Sequence, residues 1–166
     1  MLNVQKYLIK HGIQKLKDEY SIIVREYDDR IVLNYDLINS PTKHPITVEC
    51  RGLILSLPNF EVMCRSFDRF FNYSPQEDKD MDFANSMFLE KRDGSLINLY
   101  HDGKGWVFAT RGTAYAEGTV PSGETFLEIV NMALHGNDNV SSINHNLTFI
   151  FELTSLRNRV ITKYEK

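Results

Sequence analysis

Short runs of β-branched and aromatic residues occur in consecutive pairs along this sequence, and a turn dipeptide separates the two members of each pair. The runs cover residues 21–27 and 30–35, 52–57 and 60–65, and 96–100 and 106–110. The dipeptides between them are Asp28-Asp29, Pro58-Asn59 and Asp102-Gly103. Two extended runs joined by a short turn of this kind form a β-hairpin. The pattern therefore predicts a chain built around antiparallel strands.

The remaining segments add further strands and a few helices. Strands are predicted at residues 87–91, 148–153 and 159–163, and the polar stretch 74–85 is predicted to be a solvated loop. Helices are predicted at 4–9, for a turn or two after His11-Gly12, and at 124–134 before His135-Gly136. Because no βαβ alternation is visible, we expect an α+β fold of antiparallel sheets with a few covering helices.

Length and composition limit the class of protein. The 166 residues, 42% of them hydrophobic, suffice for one core, so we expect a single domain. Without an apolar run near the ~18 residues that cross a bilayer, or a signal-peptide layout, the expected location is the cytoplasm. Cys50 and Cys64 are too few for a disulfide framework and are expected to be reduced. A net charge of −3 argues against binding nucleic acid through bulk positive charge, so any such contact must be local.

The segment Lys91-Arg92-Asp93-Gly94-Ser95 lies between two predicted strands and would present the Lys91 amine from a tight turn. Glycine permits the unusual backbone angles of such turns. A lysine attacks phosphorus only as the neutral amine, and burial or neighbouring cations favour the loss of its proton. Taken alone, however, the segment is more typical of an ordinary hairpin corner, because Asp-Gly is a favoured turn pair.

Four neighbouring segments change that interpretation. Upstream of Lys91 are Glu49-Cys50-Arg51-Gly52-Leu53-Ile54 and Phe67-Asp68-Arg69-Phe70-Phe71-Asn72. Downstream are Thr110-Arg111-Gly112-Thr113 and Phe149-Ile150-Phe151-Glu152-Leu153-Thr154-Ser155, the latter followed by Asn158-Arg159-Val160. Together with the lysine segment, these blocks resemble bacteriophage RNA ligases of the T4 RNA ligase 1 type, which belong to the nucleotidyltransferases that form lysyl-AMP or lysyl-GMP. Five blocks in order are far more specific than any single motif.

The resemblance implies the adenylyltransferase domain of an ATP-dependent RNA ligase, with the nucleotidyltransferase (ATP-grasp-like ligase) fold. Lys91 would then attack the α-phosphate of ATP in the presence of Mg²⁺ and release pyrophosphate. AMP would pass to a 5′-phosphate RNA end, which a 3′-hydroxyl attacks. RNA ends, tRNA ends among them, are the expected partners, RNA repair is the expected role, and neither a membrane nor an obligate protein partner is expected.

Three arginines, Arg51, Arg69 and Arg111, are the expected cations on the non-transferring phosphate oxygens. The guanidinium fork suits this task because it binds two phosphate oxygens at once. The alternative for each arginine is a surface ion pair, which is common and weak.

The other expected nucleotide-site residues are Phe71, Asp93, Gly94 and Glu152. Glu152 lies on an otherwise apolar strand, where an unpaired carboxylate is costly to bury. The resemblance implies that it holds the ribose or the hydrated metal; a solvated glutamate at a sheet edge is the alternative. Phe71 is expected to cover the nucleotide, with core packing as an equal alternative. Arg51 and Glu152 are expected to share one pocket around Lys91.

The sequence departs from the resemblance at two points. Arg69 and Arg111 stand where lysine is expected, which keeps the charge and changes its geometry. The sequence also ends soon after the third motif, before the Glu-Gly and Lys-x-Lys motifs of the family. We therefore expect residues 1–166 to be the N-terminal portion of the domain and not to seal RNA alone. A catalytically inactive nucleotide- or RNA-binding fragment, a DNA ligase and a capping guanylyltransferase remain alternatives.

Overall fold

The computed structural model describes residues 1–74, 76–134, 144–158 and 160–162. Within them, three helices cover two antiparallel sheets, which confirms the expected α+β class. The helices are α1 (Asn3–Tyr20), α2 (Pro45–Glu49) and α3 (Phe126–Leu134), and a 3₁₀ turn spans Phe83–Asn85. The strands are β1 (Ile22–Glu26), β2 (Arg30–Tyr35), β3 (Arg51–Ser56), β4 (Val62–Cys64), β5 (Ser95–His101), β6 (Trp106–Thr110) and β7 (Phe149–Leu153).

Helix α1 bends at Gly12, the position where the sequence predicted a break. Gly12 has φ 79° and ψ 171°, which lie far from helical values and are readily adopted by glycine. The N-terminal end of α1 is held by Glu49 at the end of α2, because its carboxylate accepts the backbone N–H groups of Asn3 and Val4 at 3.0 and 2.8 Å. Carboxylates stabilise helix N-termini in this way.

The two sheets contain the three predicted hairpins. The first sheet has the order β1-β2-β3-β4, and the second has the order β6-β5-β7 with β5 in the centre. In the second sheet Leu96 of β5 pairs with Glu152 of β7, which fixes the position of that carboxylate. A register shift between Leu33 and Asn34 interrupts the pairing of β2 with β3. Such bulges re-aim the side chains that follow them, and Tyr35 lies directly beyond this one.

The sheets and helices form four layers. One cluster joins α1 and α2 to the first sheet, a second joins the two sheets, and a third joins the second sheet to α3. Leu33, Ile54 and Ile129 exemplify the three clusters, and each is almost completely buried. Cys50 and Cys64 are free and buried as well, which confirms the expected reduced thiols, and burial raises the pKa of Cys64 to about 12.

A buried arginine joins the two sheets. Arg30 of β2 is 1% exposed and donates to the hydroxyl of Tyr100 on β5 at 2.7 Å. Its guanidinium also pairs with Asp29 at 2.7 Å and with Asp102 at 3.2 Å. These bonds satisfy the charge, as a buried cation requires.

One predicted strand is absent from the described residues, and a second is described only in part. Residues 87–91 form no strand, and Met87, Phe88 and Leu89 are 83%, 77% and 79% exposed. The physical reason is that a strand needs a hydrogen-bonding neighbour, whereas β5, which follows directly, already pairs with β6 and β7 on its two sides. Of the predicted strand at 159–163, only residues 160–162 are described, and they are not assigned to a strand.

Helix α3 begins later than the sequence predicted. The helix expected at 124–134 begins two residues later, at Phe126, and its expected end at His135-Gly136 lies outside the described residues. No helix in the described part of the chain is long and apolar enough to cross a membrane.

Candidate active site

Three arginines from separate parts of the sequence meet around the ring of Tyr35, and we call them the arginine cluster: Arg51, Arg69 and Arg111. The guanidinium carbons of Arg69 and Arg111 lie 4.1 and 4.6 Å from the centre of the Tyr35 ring. Arg51 lies 4.7 Å from the ring centre of Phe70 and is close enough to Arg111 for the two charges to interact. The structure thus brings together the three arginines that the sequence selected.

Backbone contacts fix these arginines in place. Gly52, directly after Arg51, has φ +73°, and a Cβ at this position would lie 3.1 Å from the Cα of Arg111. Only glycine therefore admits the close approach of β3 to the segment after β6. Asn34 completes the contact, because its amide donates to the carbonyl oxygen of Arg111 at 2.7 Å and accepts from Arg111 Nε at 3.2 Å.

The arginine cluster carries positive charge without matching carboxylates. No ion pair within 4.0 Å joins any of its members to an acidic group of the described residues. The Nη1 atoms of Arg51 and Arg69 are buried and have no hydrogen-bond partner there. Burial, and then the neighbouring Arg111, lower the pKa of Arg51 from its ordinary value. A bound polyanion would reduce the repulsion between the arginines and would accept hydrogen bonds from the unused N–H groups.

The Lys91 segment lies just before β5. The side chain of Lys91 is exposed, and its neighbour Arg92 pairs with Glu90 at 3.0 Å. The Asp93 carboxylate accepts the backbone N–H groups of Ile161 and Thr162 at 2.8 and 2.6 Å. These bonds hold the pKa of Asp93 below its usual value, and the bond from Thr162 has the largest effect. In this structure Asp93 ties the lysine segment to residues beyond β7.

Gly94 does not have the turn angles that the sequence predicted. Its backbone is not in the left-handed region, so unusual turn angles do not explain it. A Cβ at this position would instead lie 2.4 Å from the carbonyl oxygen of Leu153. Glycine is needed because the chain passes against β7.

Glu152 links the Lys91 segment to the arginine cluster. Its Oε1 atom accepts the N–H of Gly94 at 3.0 Å, and its charge raises the pKa of Arg51, against the larger effects of burial and Arg111. Glu152 is thus near both Gly94 and Arg51, and it is not buried within the apolar strand that carries it.

Phe71 lies at the margin of the arginine cluster. It is 45% exposed, and the guanidinium carbon of Arg69 lies 5.4 Å from its ring centre. Core packing, the alternative interpretation of this aromatic residue, does not fit such exposure. A partly exposed ring beside cations can stack on a planar ligand.

Three residues of the site were missed by sequence reasoning: Tyr35, Asn34 and Asn158. Tyr35 ends a strand with apolar alternation and would be assigned to the core, while Asn34 carries no local signal. Asn158 is 6% exposed, accepts from the Ser95 hydroxyl at 3.2 Å and donates to the Leu153 carbonyl at 3.3 Å. It joins the start of β5 to the end of β7. Its place in the Asn158-Arg159-Val160 block was the one available signal.

Comparison with known proteins shows the family to which the chain belongs. The chain is 38% identical, over its whole length, to a protein of Autographa californica nuclear polyhedrosis virus whose name describes a candidate bifunctional polynucleotide kinase/RNA ligase. The chain spans 27% of that relative. The family described as RNA ligase, of the T4 RNA ligase 1 type, matches residues 49–166, which include all the site residues except Asn34 and Tyr35. The chain therefore belongs to the T4 RNA ligase 1-type RNA ligase family.

Proposed function

We propose that this chain carries the ATP-dependent step of RNA joining, in which Lys91 forms lysyl-AMP and a 5′-phosphate RNA end is then joined to a 3′-hydroxyl. The observation that carries the proposal is the arginine cluster, whose three guanidinium groups form no ion pair within 4.0 Å among the described residues. Glu152 lies between this cluster and the segment that presents Lys91. A structural ion-pair network would instead pair its cations, as Arg30 does.

Each residue has a defined task in this reaction. The neutral Lys91 Nζ forms a bond to the α-phosphorus of ATP, and the bond from that phosphorus to pyrophosphate breaks. Arg51, Arg69 and Arg111 hold the phosphate oxygens, and because they are fixed beforehand they stabilise charge without rearranging. Phe71 covers the nucleotide, Gly94 lets the lysine segment pack against β7, and Asp93 ties that segment to residues beyond β7.

The donor groups fit a Mg²⁺ ion that is held mainly by the substrate. Among the described residues no three histidine, cysteine or acidic side chains gather into a metal-binding group. Mg²⁺ commonly binds through one or two carboxylates, phosphate oxygens and water, so Glu152 would hold it, through water, together with ATP. The ion would supply neutralisation of the phosphate charge.

A non-catalytic nucleotide-binding role is the second candidate. It is favoured by the exposure of Lys91, because an exposed lysine is ordinary on a protein surface. RNA as the substrate, a tRNA repair role and ATP rather than GTP remain parts of the proposal. The kinase named for the viral relative is not proposed for this chain.

The test is covalent labelling of the full-length protein with α-³²P-ATP and Mg²⁺, followed by mapping of the labelled peptide. We expect AMP on Lys91, far less label from GTP, and no label in Lys91→Ala. Lys104→Ala, which removes an exposed lysine from the turn after β5, is the matched control and should label normally. Label that persists in Lys91→Ala would overturn the assignment, and absence of label in the parent protein would favour the non-catalytic role.

A further inference from the structure

An open groove of about 650 Å³ lies beside the arginine cluster. It is formed by β1, the end of β2, the loop that follows β2, and the segment after β6. Its volume is within the range of about 300–1,000 Å³ that is usual for ligand sites. Six residues that line it are Ile23, Arg25, Tyr35, Leu37, Ile38 and Arg111.

One wall of the groove is apolar and faces solvent. Ile23, Leu37 and Ile38 are 54%, 73% and 89% exposed. Single exposed apolar side chains are ordinary on protein surfaces, but here three of them line one groove. Apolar side chains of this kind can pack against the flat face of a nucleobase.

Guanidinium groups supply the positive charge of the groove. Arg111 belongs to both the groove and the arginine cluster, and Arg25 has a half-exposed side chain whose contact with Glu117 is 3.7 Å long. The acidic lining residue Asp36 is turned to its own loop, where its carboxylate accepts the N–H groups of Ile38 and Asn39 at 2.9 and 2.7 Å. The groove therefore offers two cations to a ligand with phosphate groups.

The geometry of the proposed reaction requires a route by which the RNA 5′-phosphate reaches the site. In an in-line displacement the entering and leaving groups lie on opposite sides of the phosphorus. Pyrophosphate thus leaves from the side opposite Lys91, which would be the side of the arginine cluster that holds its phosphate oxygens. In the next step Lys91 is the leaving group, so the RNA 5′-phosphate must approach from the side that pyrophosphate vacated. The groove reaches the cluster, because it is lined by Arg111, a member of the cluster, and by Tyr35, whose ring lies against Arg69 and Arg111.

We propose that this groove binds the RNA strand that carries the 5′-phosphate, a proposal that rests on the proposed function. Arg111 binds the terminal phosphate, and Arg25 binds a phosphate further along the strand. In the step that it serves, a 5′-phosphate oxygen forms a bond to the phosphorus of AMP. The bond from that phosphorus to Lys91 Nζ breaks, and the departing amine takes up a proton from water. The bases of the strand lie against Ile23, Leu37 and Ile38.

The experiment separates the RNA step from the ATP step in the full-length protein. Lysyl-AMP formation is measured first with labelled ATP alone. Transfer of the label to a 5′-phosphorylated 12-nucleotide RNA is then followed in a single turnover, with the same RNA carrying a 5′-hydroxyl as the blank. The variants are Arg25→Ala and Ile38→Glu, both at exposed positions where folding is little affected. Lys15→Ala on α1 is the control, since it removes one positive charge and one surface ion pair elsewhere.

We expect each groove variant to slow AMP transfer to RNA about tenfold more than it slows lysyl-AMP formation, the effect of about one charge-assisted hydrogen bond. Lys15→Ala should change neither step. Equal transfer by the groove variants and Lys15→Ala would overturn the groove assignment while leaving the proposed function intact. Slower lysyl-AMP formation with normal transfer would also overturn it, by assigning the groove to ATP. Absence of lysyl-AMP in the parent protein would overturn the proposed function itself, and the groove assignment with it.

Discussion

The Oε1 atom of Glu152 accepts a 3.0 Å hydrogen bond from the backbone N–H of Gly94, and the same stretch of chain passes so close to β7 that a Cβ at position 94 would lie 2.4 Å from Leu153 O. The two contacts hold the segment that carries Lys91 against the strand that carries Glu152. Backbone packing therefore holds the lysine segment beside Glu152.

Replacing Gly94 by alanine tests this contact. The added methyl group must push the chain away from β7, and we expect a loss of about 1–3 kcal/mol in the free energy of unfolding, as for other overpacked sites. Gly105→Ala is the matched control because nothing lies within 4 Å of its Cβ position. It should leave stability unchanged or raise it by about 0.4–1 kcal/mol. Urea denaturation of both variants measures these changes. Equal stability of Gly94→Ala and Gly105→Ala would contradict the close packing at Gly94.

Methionine substitutions at Arg30 and Arg51 distinguish an arginine that stabilises the fold from one that binds a ligand. Arg30→Met removes the partner of Asp29, Asp102 and the Tyr100 hydroxyl, and should cost about 3–5 kcal/mol. Arg51→Met removes a cation that forms no ion pair within 4.0 Å among the described residues, so stability should change by about 1 kcal/mol, the value of its ring contact. Lysyl-AMP formation should nevertheless fall roughly 10²- to 10³-fold.

Thermal and chemical unfolding, together with labelling by α-³²P-ATP, measure the two effects of these substitutions. Arg51→Met losing as much stability as Arg30→Met would mean that the arginine cluster holds the fold together and is not a site for phosphate.

Local patterns predicted the hairpins, whereas long-range packing determined most of the site. The Asp28-Asp29 and Asp102-Gly103 turns act on their immediate neighbours, so their hairpins follow from the sequence. Tyr35 could not be selected in this way, because its role depends on a bulge and on arginines far away along the chain. The turn angles expected at Gly94 are not found, and the contact that excludes a side chain there, with Leu153, could not be predicted from local sequence.

The contact of Asp93 with residues 161 and 162 should depend on pH. The backbone N–H groups of Thr162 and Ile161 lower the pKa of Asp93, so the contact is fully formed above the ordinary value of about 3.9 and is lost as the pH falls through the lower value of the folded protein. In NMR titrations the two amide signals should therefore move with a midpoint below about 3.9. Asp93→Asn should remove this transition, and a midpoint above the ordinary value would refute the contact.

Two substitutions at Glu152 distinguish its charge from its hydrogen bond. Glutamine keeps an oxygen that accepts the Gly94 N–H and loses the charge, so Glu152→Gln should retain the stability of the parent. Alanine loses both, and Glu152→Ala should cost about 0.5–1.5 kcal/mol, the usual value of one hydrogen bond. If the charge serves the hydrated metal, both variants should slow lysyl-AMP formation, by about 10²-fold. Glu61→Gln, an exposed acid before β4, is the control for the loss of one charge and should react normally. A Glu152→Gln protein as active as Glu61→Gln would show that Glu152 acts only through its bond to Gly94, which leaves it a positioning residue and removes it from the metal site.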